Sequence, residues 1–336
     1  MCRRPAVMTL AWVLLGCAAA CGQQRPMAPM LQHIVASRMG LAIVSGRLVN
    51  PAGWHFGGGS STSTYDSTRE ELWFSASGTG GSLRYRRVSP QDDLTLDIDS
   101  EGRFHFLRHE KENATGPVEF VQAPGEPLTL SVGPQDHQQV YRAATLWHLA
   151  LAQPEVCQRH VYPLLEVLHP QWRFAEMAAQ VETQLLKLTA DDRRQQRQQW
   201  ADLVAQLADD RFAKREAADR GLRAGGGTAL AYLEQLDLRR LEPEQQFRVR
   251  RILQSVGRQR TDDTPGQAAG LLANDPSVWL ELLARPDPSI RHAAVQRLAA
   301  LLGEPVRVDP AADPASQKPA RDALRARIEK AAGRGP

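Results

Sequence analysis

Between residues 72 and 132 apolar and polar positions alternate with a period of two. Leu72-Trp73-Phe74 opens the run; Leu83 and Tyr85 alternate with Arg84 and Arg86; Leu94, Leu96 and Ile98 alternate with Thr95 and Asp97. Phe104 and Phe106 then alternate with Arg103 and His105, and Val118, Phe120, Leu128, Leu130 and Val132 continue the pattern. Successive side chains of a strand point to opposite faces, so this run predicts one buried face and one wet face. Turn residues at Asp99-Ser100-Glu101-Gly102 and at Ala123-Pro124-Gly125-Glu126-Pro127 separate the strands. Connections this short make neighbouring strands antiparallel. Residues 72–134 therefore read as a meander of five or six strands.

From about residue 137 the period lengthens to that of a helix. Val140, Ala144, Trp147 and Leu151 fall on one stripe. Pro154 suits the first turn of the next helix, where Cys157, Val161, Leu164, Leu165 and Leu168 align and Pro163 is expected to introduce a kink. Pro170 opens another, carrying Phe174, Met177, Val181, Leu185 and Leu188, and Thr189 with Asp192 has the form of a capping box. Three helix pairs follow, 193–208 with 211–223, 228–237 with 243–256, and 277–284 with 288–302. Trp200, Leu203, Val204 and Leu207 line the first helix, and Phe247, Val249, Ile252, Leu253 and Val256 are expected to face inward from the fourth. Gly225-Gly226-Gly227 stops the second. Past Gly303 a Pro-rich linker leads to a final helix at 319–332, within the segment 303–336. The fold class is α+β, an N-terminal antiparallel β-meander followed by an all-α helical domain over 137–302.

Residues 22–71 follow neither period. GQQRPMAPM at 22–30 reads as a tether, LAIVSGRLV at 41–49 suits a strand although the residues before it suit a helix, and GGGSSTST at 57–64 reads as a flexible loop. The first 21 residues have the form of an export signal. Arg3 and Arg4 are basic, Ala6 to Leu15 is apolar, and the apolar run is too short to span a bilayer. It ends in Leu14-Leu15-Gly16-Cys17. This resembles the lipobox of bacterial lipoproteins, which implies that Cys17 becomes a lipidated N-terminus anchored to a membrane of the cell envelope. An ordinary signal peptide cut after a small residue such as Ala20 is the alternative. Either reading predicts export.

Composition narrows the picture. With 42% hydrophobic and 24% charged residues the chain is an ordinary folded protein, with room in 336 residues for two or three compact units. Removing residues 1–16 takes away Arg3 and Arg4 and lowers the 41 basic residues to 39, against 38 acidic. A nucleic-acid-binding face needs a clear basic excess. The runs Arg-Arg-Gln-Gln-Arg at 193–197 and Arg-Val-Arg-Arg at 248–251 lie among acidic residues and read as solvated helix faces. Nucleic acid is not expected as a partner. Cys157 reads as a small buried hydrophobe, with a Cys21–Cys157 disulfide as the alternative in an exported chain.

One stretch repeats itself. LADDRFAKREAADRGL at 207–222 and LARPDPSIRHAAVQRL at 283–298 coincide without a gap at Leu207/Leu283, Ala208/Ala284, Arg215/Arg291, Ala217-Ala218/Ala293-Ala294 and Leu222/Leu298. The offset is 76 residues, so a period near 38 leaves room for one more unit between them. These residues resemble the HEAT-repeat family, in which an Asp-containing turn precedes a second helix of the form apolar-Arg-x-x-Ala-x-x-x-Leu. Asp287, Ile290, Arg291, Ala294 and Leu298 match position by position. Asp210, Arg215, Ala218 and Leu222 match with Lys214 in place of the apolar residue. In the middle unit Phe247-Arg248 fits, but Arg251 stands where Ala is expected, and the spacings of 33 and 43 residues around Arg248 are uneven. The resemblance covers about 195–302. It implies stacked helical hairpins in which Ala permits close approach, Leu fills the seam, and a concave surface binds another protein.

Motifs for chemistry are sparse. His105 and His109 stand four apart, but on or beside a strand and without the carboxylates of a zinc site. His148, His160 and His169 lie in or beside helical stripes. Gly78 to Ser82 is Gly-rich without the Lys-Ser/Thr of a phosphate loop, and the Ser60–Ser63 run has no nucleophile elbow. Asp92, Asp93, Asp97 and Asp99 lack the spacing of a calcium loop and suit a wet strand face. No catalytic residue, metal or cofactor is expected. The leading functional expectation is a non-enzymatic, envelope-anchored scaffold that binds a protein partner. The alternative is an exported enzyme or substrate-binding protein, whose mark would be a cleft on the β domain gathering Asp, His and Ser from 57–110.

Overall fold

The computed structural model describes residues 41–50, 57–77, 80–112, 116–188, 190–225, 229, 232–233, 236–256 and 262–331. A small hairpin comes first, β1 (Ala42–Val44) and β2 (Arg47–Val49). Its two-residue turn, Ser45-Gly46, has both φ angles positive, at 52° and 70°, the geometry that matches strand twist. Any Cβ at Gly46 would lie 2.6 Å from the Thr145 side chain, so the close approach requires glycine.

Eight antiparallel strands then form one sheet in chain order: β3 (Gly59–Tyr65), β4 (Thr68–Ser77), β5 (Gly80–Val88), β6 (Asp92–Ile98), β7 (Phe104–Glu110), β8 (Val118–Gln122), β9 (Leu128–Val132) and β10 (Gln139–Ala143). The expected α+β class with an N-terminal meander is what the chain adopts. The sheet is wider at both ends than the 72–134 reading. Residues 59–64 form an edge strand, not a flexible loop. Their Ser/Thr side chains are mostly exposed and contribute nothing to the core, so no apolar alternation marked them. Pairing with β4 alone holds them, through a two-residue turn at Asp66-Ser67 in which both φ angles are positive. At the far edge Val140 belongs to β10 and is 48% exposed, so the helical stripe drawn through it fails. Helix α1 begins only at Leu146, where Thr145 caps it by accepting from the His148 amide.

The helices are α1 (Leu146–Ala152), α2 (Pro154–Val156), α3 (Tyr162–Leu168), α4 (Phe174–Lys187), α5 (Ala190–Gln206), α6 (Phe212–Ala224), α7 (Pro243–Val256), α8 (Pro265–Leu272), α9 (Pro276–Leu282), α10 (Pro288–Leu302) and α11 (Lys318–Ala331). A π turn at Cys157–Val161 joins α2 to α3. Pro163 has no amide to donate, and the wider turn just before it accommodates the irregularity. Cys157 is buried and free, with burial pushing its thiol up to about 12. Cys21 and Thr189 of the expected capping box lie outside the described residues, as does half of the helix expected at 228–237.

Among the described residues the elements form two hydrophobic cores. The first joins the inner face of the sheet to α1, α3, α4 and α8–α11. Trp147 stacks on Phe174 with ring centroids 5.1 Å apart. α8, which the sequence reading did not find, packs on α4, and α11 covers α9 with Leu324 and Ile328 buried. The second core is built by α5, α6 and α7 around Trp200, Val204, Leu207, Ala218, Leu222, Val249 and Ile252. Of the expected hairpins, the first (α5–α6) and the last (α9–α10) therefore lie in different cores. The chain leaves the first core after α4, builds the second, and returns at Asp262.

The return is pinned by two carboxylates. Asp263 accepts from the amides of Ser45 (2.8 Å) and Gly46 (2.6 Å) and from the Trp147 indole (2.7 Å). Asp262 accepts from the Ile43 amide (2.8 Å) and the Trp172 indole (3.1 Å). Burial and the adjacent Asp262 raise the Asp263 carboxyl above its ordinary range, although its three donors oppose this.

Candidate functional site

The repeat residues occupy equivalent places in two hairpins, α5–α6 and α9–α10. Leu207 and Leu283 are buried where the first helix of each pair ends; Ala218 and Ala294 are buried where the second crosses it; Leu222 and Leu298 are buried one turn on. Arg215 Nη1 donates to the carbonyls of Asp209 (2.7 Å) and Asp210 (3.1 Å). Arg291 Nη1 donates to those of Arg285 (2.7 Å) and Pro286 (2.6 Å). The acceptors are six and five residues before the arginine in both cases. Each guanidinium thus satisfies the orphan carbonyls at the end of the preceding helix and turn.

Other matched positions diverge. Asp287 caps α10, accepting from the Ser289 amide at 2.8 Å, and Ile290 packs against the first core. Asp210 is not the counterpart cap. The turn before α6 is held by Asp209, which accepts from the Arg211 amide (2.9 Å) and Lys214 (2.9 Å), while Asp210 contributes its carbonyl. Charge–amide geometry of this kind is invisible in a sequence that offers two adjacent Asp. Cys17 lies outside the described residues.

Helix α6 of the first pair and α7 of the middle pair run parallel, as a ladder of ion pairs rising in step along both helices establishes. Arg215 lies 3.9 Å from Glu244, Arg248 donates to Glu216 at 2.8 Å, and Arg251 donates to Asp219 at 2.9 Å. Asp219 and Arg248 are both buried. Burial alone would raise the Asp219 carboxyl, but the hydrogen bonds and charges of Arg223 and Arg251 outweigh it and hold the group below its ordinary range. Arg248 thus pairs with carboxylates and not with turn carbonyls, so the middle unit lacks the arginine geometry of the other two. Phe247, expected inside, is 60% exposed, and Phe212 is 63% exposed, with Arg215 over its ring at 5.6 Å. Phe212 lies three residues before Arg215 on α6, and Phe247 three residues after Glu244 on α7. Helical spacing assigns Phe247 to the core because the stripe through Val249 and Ile252 passes close beside it. Only the position of α6 shows which side is wet.

The β domain holds two further polar groupings. At one end of the inner face Asp92 accepts from Arg87 (3.0 Å), Arg108 (3.0 Å) and Ser89 (2.8 Å), and Glu70 accepts from the hydroxyls of Tyr65 and Tyr85, each at 2.8 Å. Burial would raise Asp92, yet Arg87, Ser89 and Arg108 keep it below the ordinary carboxylate range. Burial and Glu70 push the Tyr65 hydroxyl up to about 12 and raise that of Tyr85 further. These acids are committed to internal partners, which suits locking the corner of the sheet. On the wet face a cleft is lined by Trp73, Ser75, Ser82, Arg84, Asp97, Asp99, Arg103 and His105. Its hydroxyls bond each other, Ser75 to Ser82 at 3.1 Å, and His105 bonds Glu119 at 2.9 Å, so the imidazole pairs with a carboxylate and the serines with one another.

His148 bridges Thr145 (2.8 Å) and Asp275 (3.2 Å), tying the N-terminus of α1 to that of α9. Among the described residues no group of three or more His, Cys, Asp and Glu is placed to hold a metal ion, and no helix is long and apolar enough to cross a membrane. Comparison with protein-family models, curated proteins and solved structures finds no match to this chain.

Proposed function

We propose that this chain is a non-enzymatic interaction protein of the cell envelope, anchored through a lipid at Cys17, whose HEAT-like helices bind a protein partner. The observation that carries the reading is the exposed pair Phe212 and Phe247 on the parallel helices α6 and α7. Two phenylalanines more than half exposed on one small unit are costly to hydrate, whereas buried aromatics anchor interfaces. The Arg215–Glu244 and Arg248–Glu216 pairs behind them fix the two helices, so a partner meets a preformed surface. Among the described residues, Phe212 and Phe247 are the most exposed of the large apolar side chains, which favours the second unit as the surface presented to a protein partner.

A photo-crosslinking amino acid at position 212 or 247, activated in intact cells, tests this. The same discrete protein adduct is expected from both positions and not from position 140 on the far sheet edge. Phe212→Ala should abolish the adduct formed from 247. Cys17→Ser should release the protein from the membrane fraction. Adducts of equal pattern from 140, or none from 212 and 247, would contradict the reading.

A further inference from the structure

Strand register places six polar or amphipathic side chains of β4–β7 in two cross-strand rows on the wet face, and Asp99 and Arg103, just past the strand ends, line the same cleft. One row follows the partners Trp73↔Arg84, Arg84↔Asp97 and Asp97↔His105. The other is Ser75↔Ser82; Asp99 and Arg103 are the next residues beyond Leu83↔Ile98 and Ile98↔Phe104 in their ladders. Between them lies a cleft of about 680 Å³, within the size range of small-ligand sites. The backbone of Phe74, Leu83 and Ile98 lies at its floor, since their side chains belong to the inner face.

Trp73 is the odd residue in this setting. Leu72 and Phe74 of the same strand already pack against the inner core, and Trp73 stands 42% exposed on the opposite face. Around it the polar groups are held in place. Arg84 Nε donates to Asp97 at 2.6 Å. Asp99 Oδ1 accepts from the amides of Glu101 and Arg103, each at 2.9 Å. His105 is fixed by Glu119. The cleft therefore offers an aromatic platform beside preorganised donors and acceptors. Its two arginines are balanced by two aspartates, so it favours neither an anion nor a cation.

We propose that this cleft binds an uncharged saccharide. A pyranose ring presents one apolar C–H face, which suits the Trp73 ring, and hydroxyls that each donate and accept, which suit the Arg84–Asp97 pair and the Ser75 and Ser82 hydroxyls. A phosphate ester would meet Asp97 and Asp99, and an amine would meet Arg84 and Arg103. The inference is independent of the partner face on α6 and α7.

The test is fluorescence titration of the full chain with maltotriose, cellotriose and chitotriose, each compared with inorganic phosphate. A saturable change in tryptophan emission is expected with at least one trisaccharide and not with phosphate. Trp73→Ala should abolish it, and Arg84→Ala should weaken binding about tenfold. Both positions are exposed, so both variants should keep the wild-type melting profile. Phe212→Ala should bind the sugar unchanged, which separates this site from the partner face. Three outcomes overturn the proposal: no saturable response to any of the three sugars, a response that survives Trp73→Ala, or equal binding of phosphate.

Discussion

The hairpins α5–α6 and α9–α10 share their Leu, Arg, Ala and Leu positions at a constant offset, yet they belong to different cores. What they share builds the hairpin. The buried Ala lets the helices approach, the Leu residues close the seam, and the arginine ties the second helix back to the turn. What they do not share selects the neighbours. Val295 of α10 packs against an apolar core, whereas Asp219, at the same offset in α6, takes Arg223 and Arg251. Ile290 packs inward where Lys214 is exposed. A repeat motif therefore specifies the unit and leaves its surroundings to the positions between the motif residues.

The largest expected effect separates the two cores. Ala294 has no exposed surface, and α10 is integral to the core that includes the sheet. Ala294→Asp buries an unpaired charge there and should cost on the order of 4 kcal/mol or more, enough to unfold the domain. Circular dichroism should show loss of both helix and sheet signals in one transition. Wild-type melting in that variant would contradict the assignment of Ala294 to the seam.

A smaller effect distinguishes the two arginines. Arg291 is 4% exposed and also donates to the carbonyls of Pro310 (2.8 Å) and Ala312 (3.2 Å), so it fastens the linker to α11 as well as its own turn. Arg215 has a side chain 24% exposed, and beyond its own turn it reaches only Glu244, at 3.9 Å in a half-exposed ion pair. Arg291→Met should cost about 3 kcal/mol and Arg215→Met about 1 kcal/mol in denaturant unfolding. Equal losses would mean that the added contacts of Arg291 contribute little.

Much of this organisation was legible in the sequence. The alternation of Leu94, Leu96 and Ile98 and of Phe104 and Phe106 located the middle of the sheet, because an amphipathic sheet imposes period two. The edges escaped because β3 carries only Gly, Ser, Thr and Tyr, and because Val140 and Ala144 happen to match a helical spacing. The hairpin residues were legible through the internal repeat. Their division into two cores was not, since it depends on α8 returning to α4 and on Asp262 and Asp263 reaching Ile43, Ser45 and Gly46, contacts more than 200 residues apart in the chain. The cleft around Trp73 was legible only as an alternation. Which wet-face residues stand side by side needs the strand register.

The smallest effect is a pH dependence confined to the first core. Asp275 caps α9 and bonds His148 of α1, and its carboxyl is lowered from 3.8 to about 2. Burial opposes this shift, while His148 and Ser277 produce it. A lowered carboxyl stabilises the fold above its unfolded value, and the contribution is lost as pH falls from about 3.8 towards about 2. Asp275→Asn keeps an N-cap but removes the charge. Wild type should therefore melt above the variant at pH 6, with the gap closing below pH ~3. A gap that stays constant across that range would assign the effect to packing.

Native-state hydrogen exchange on Ala218→Asp addresses the separation of the two cores most directly. Ala218 is as buried in the second core as Ala294 is in the first. The variant should lose amide protection in α5, α6 and α7 while β5–β9, α4 and α8–α10 keep theirs. Loss of protection throughout the sheet as well would contradict the account, because the two hairpins would then belong to one cooperative core.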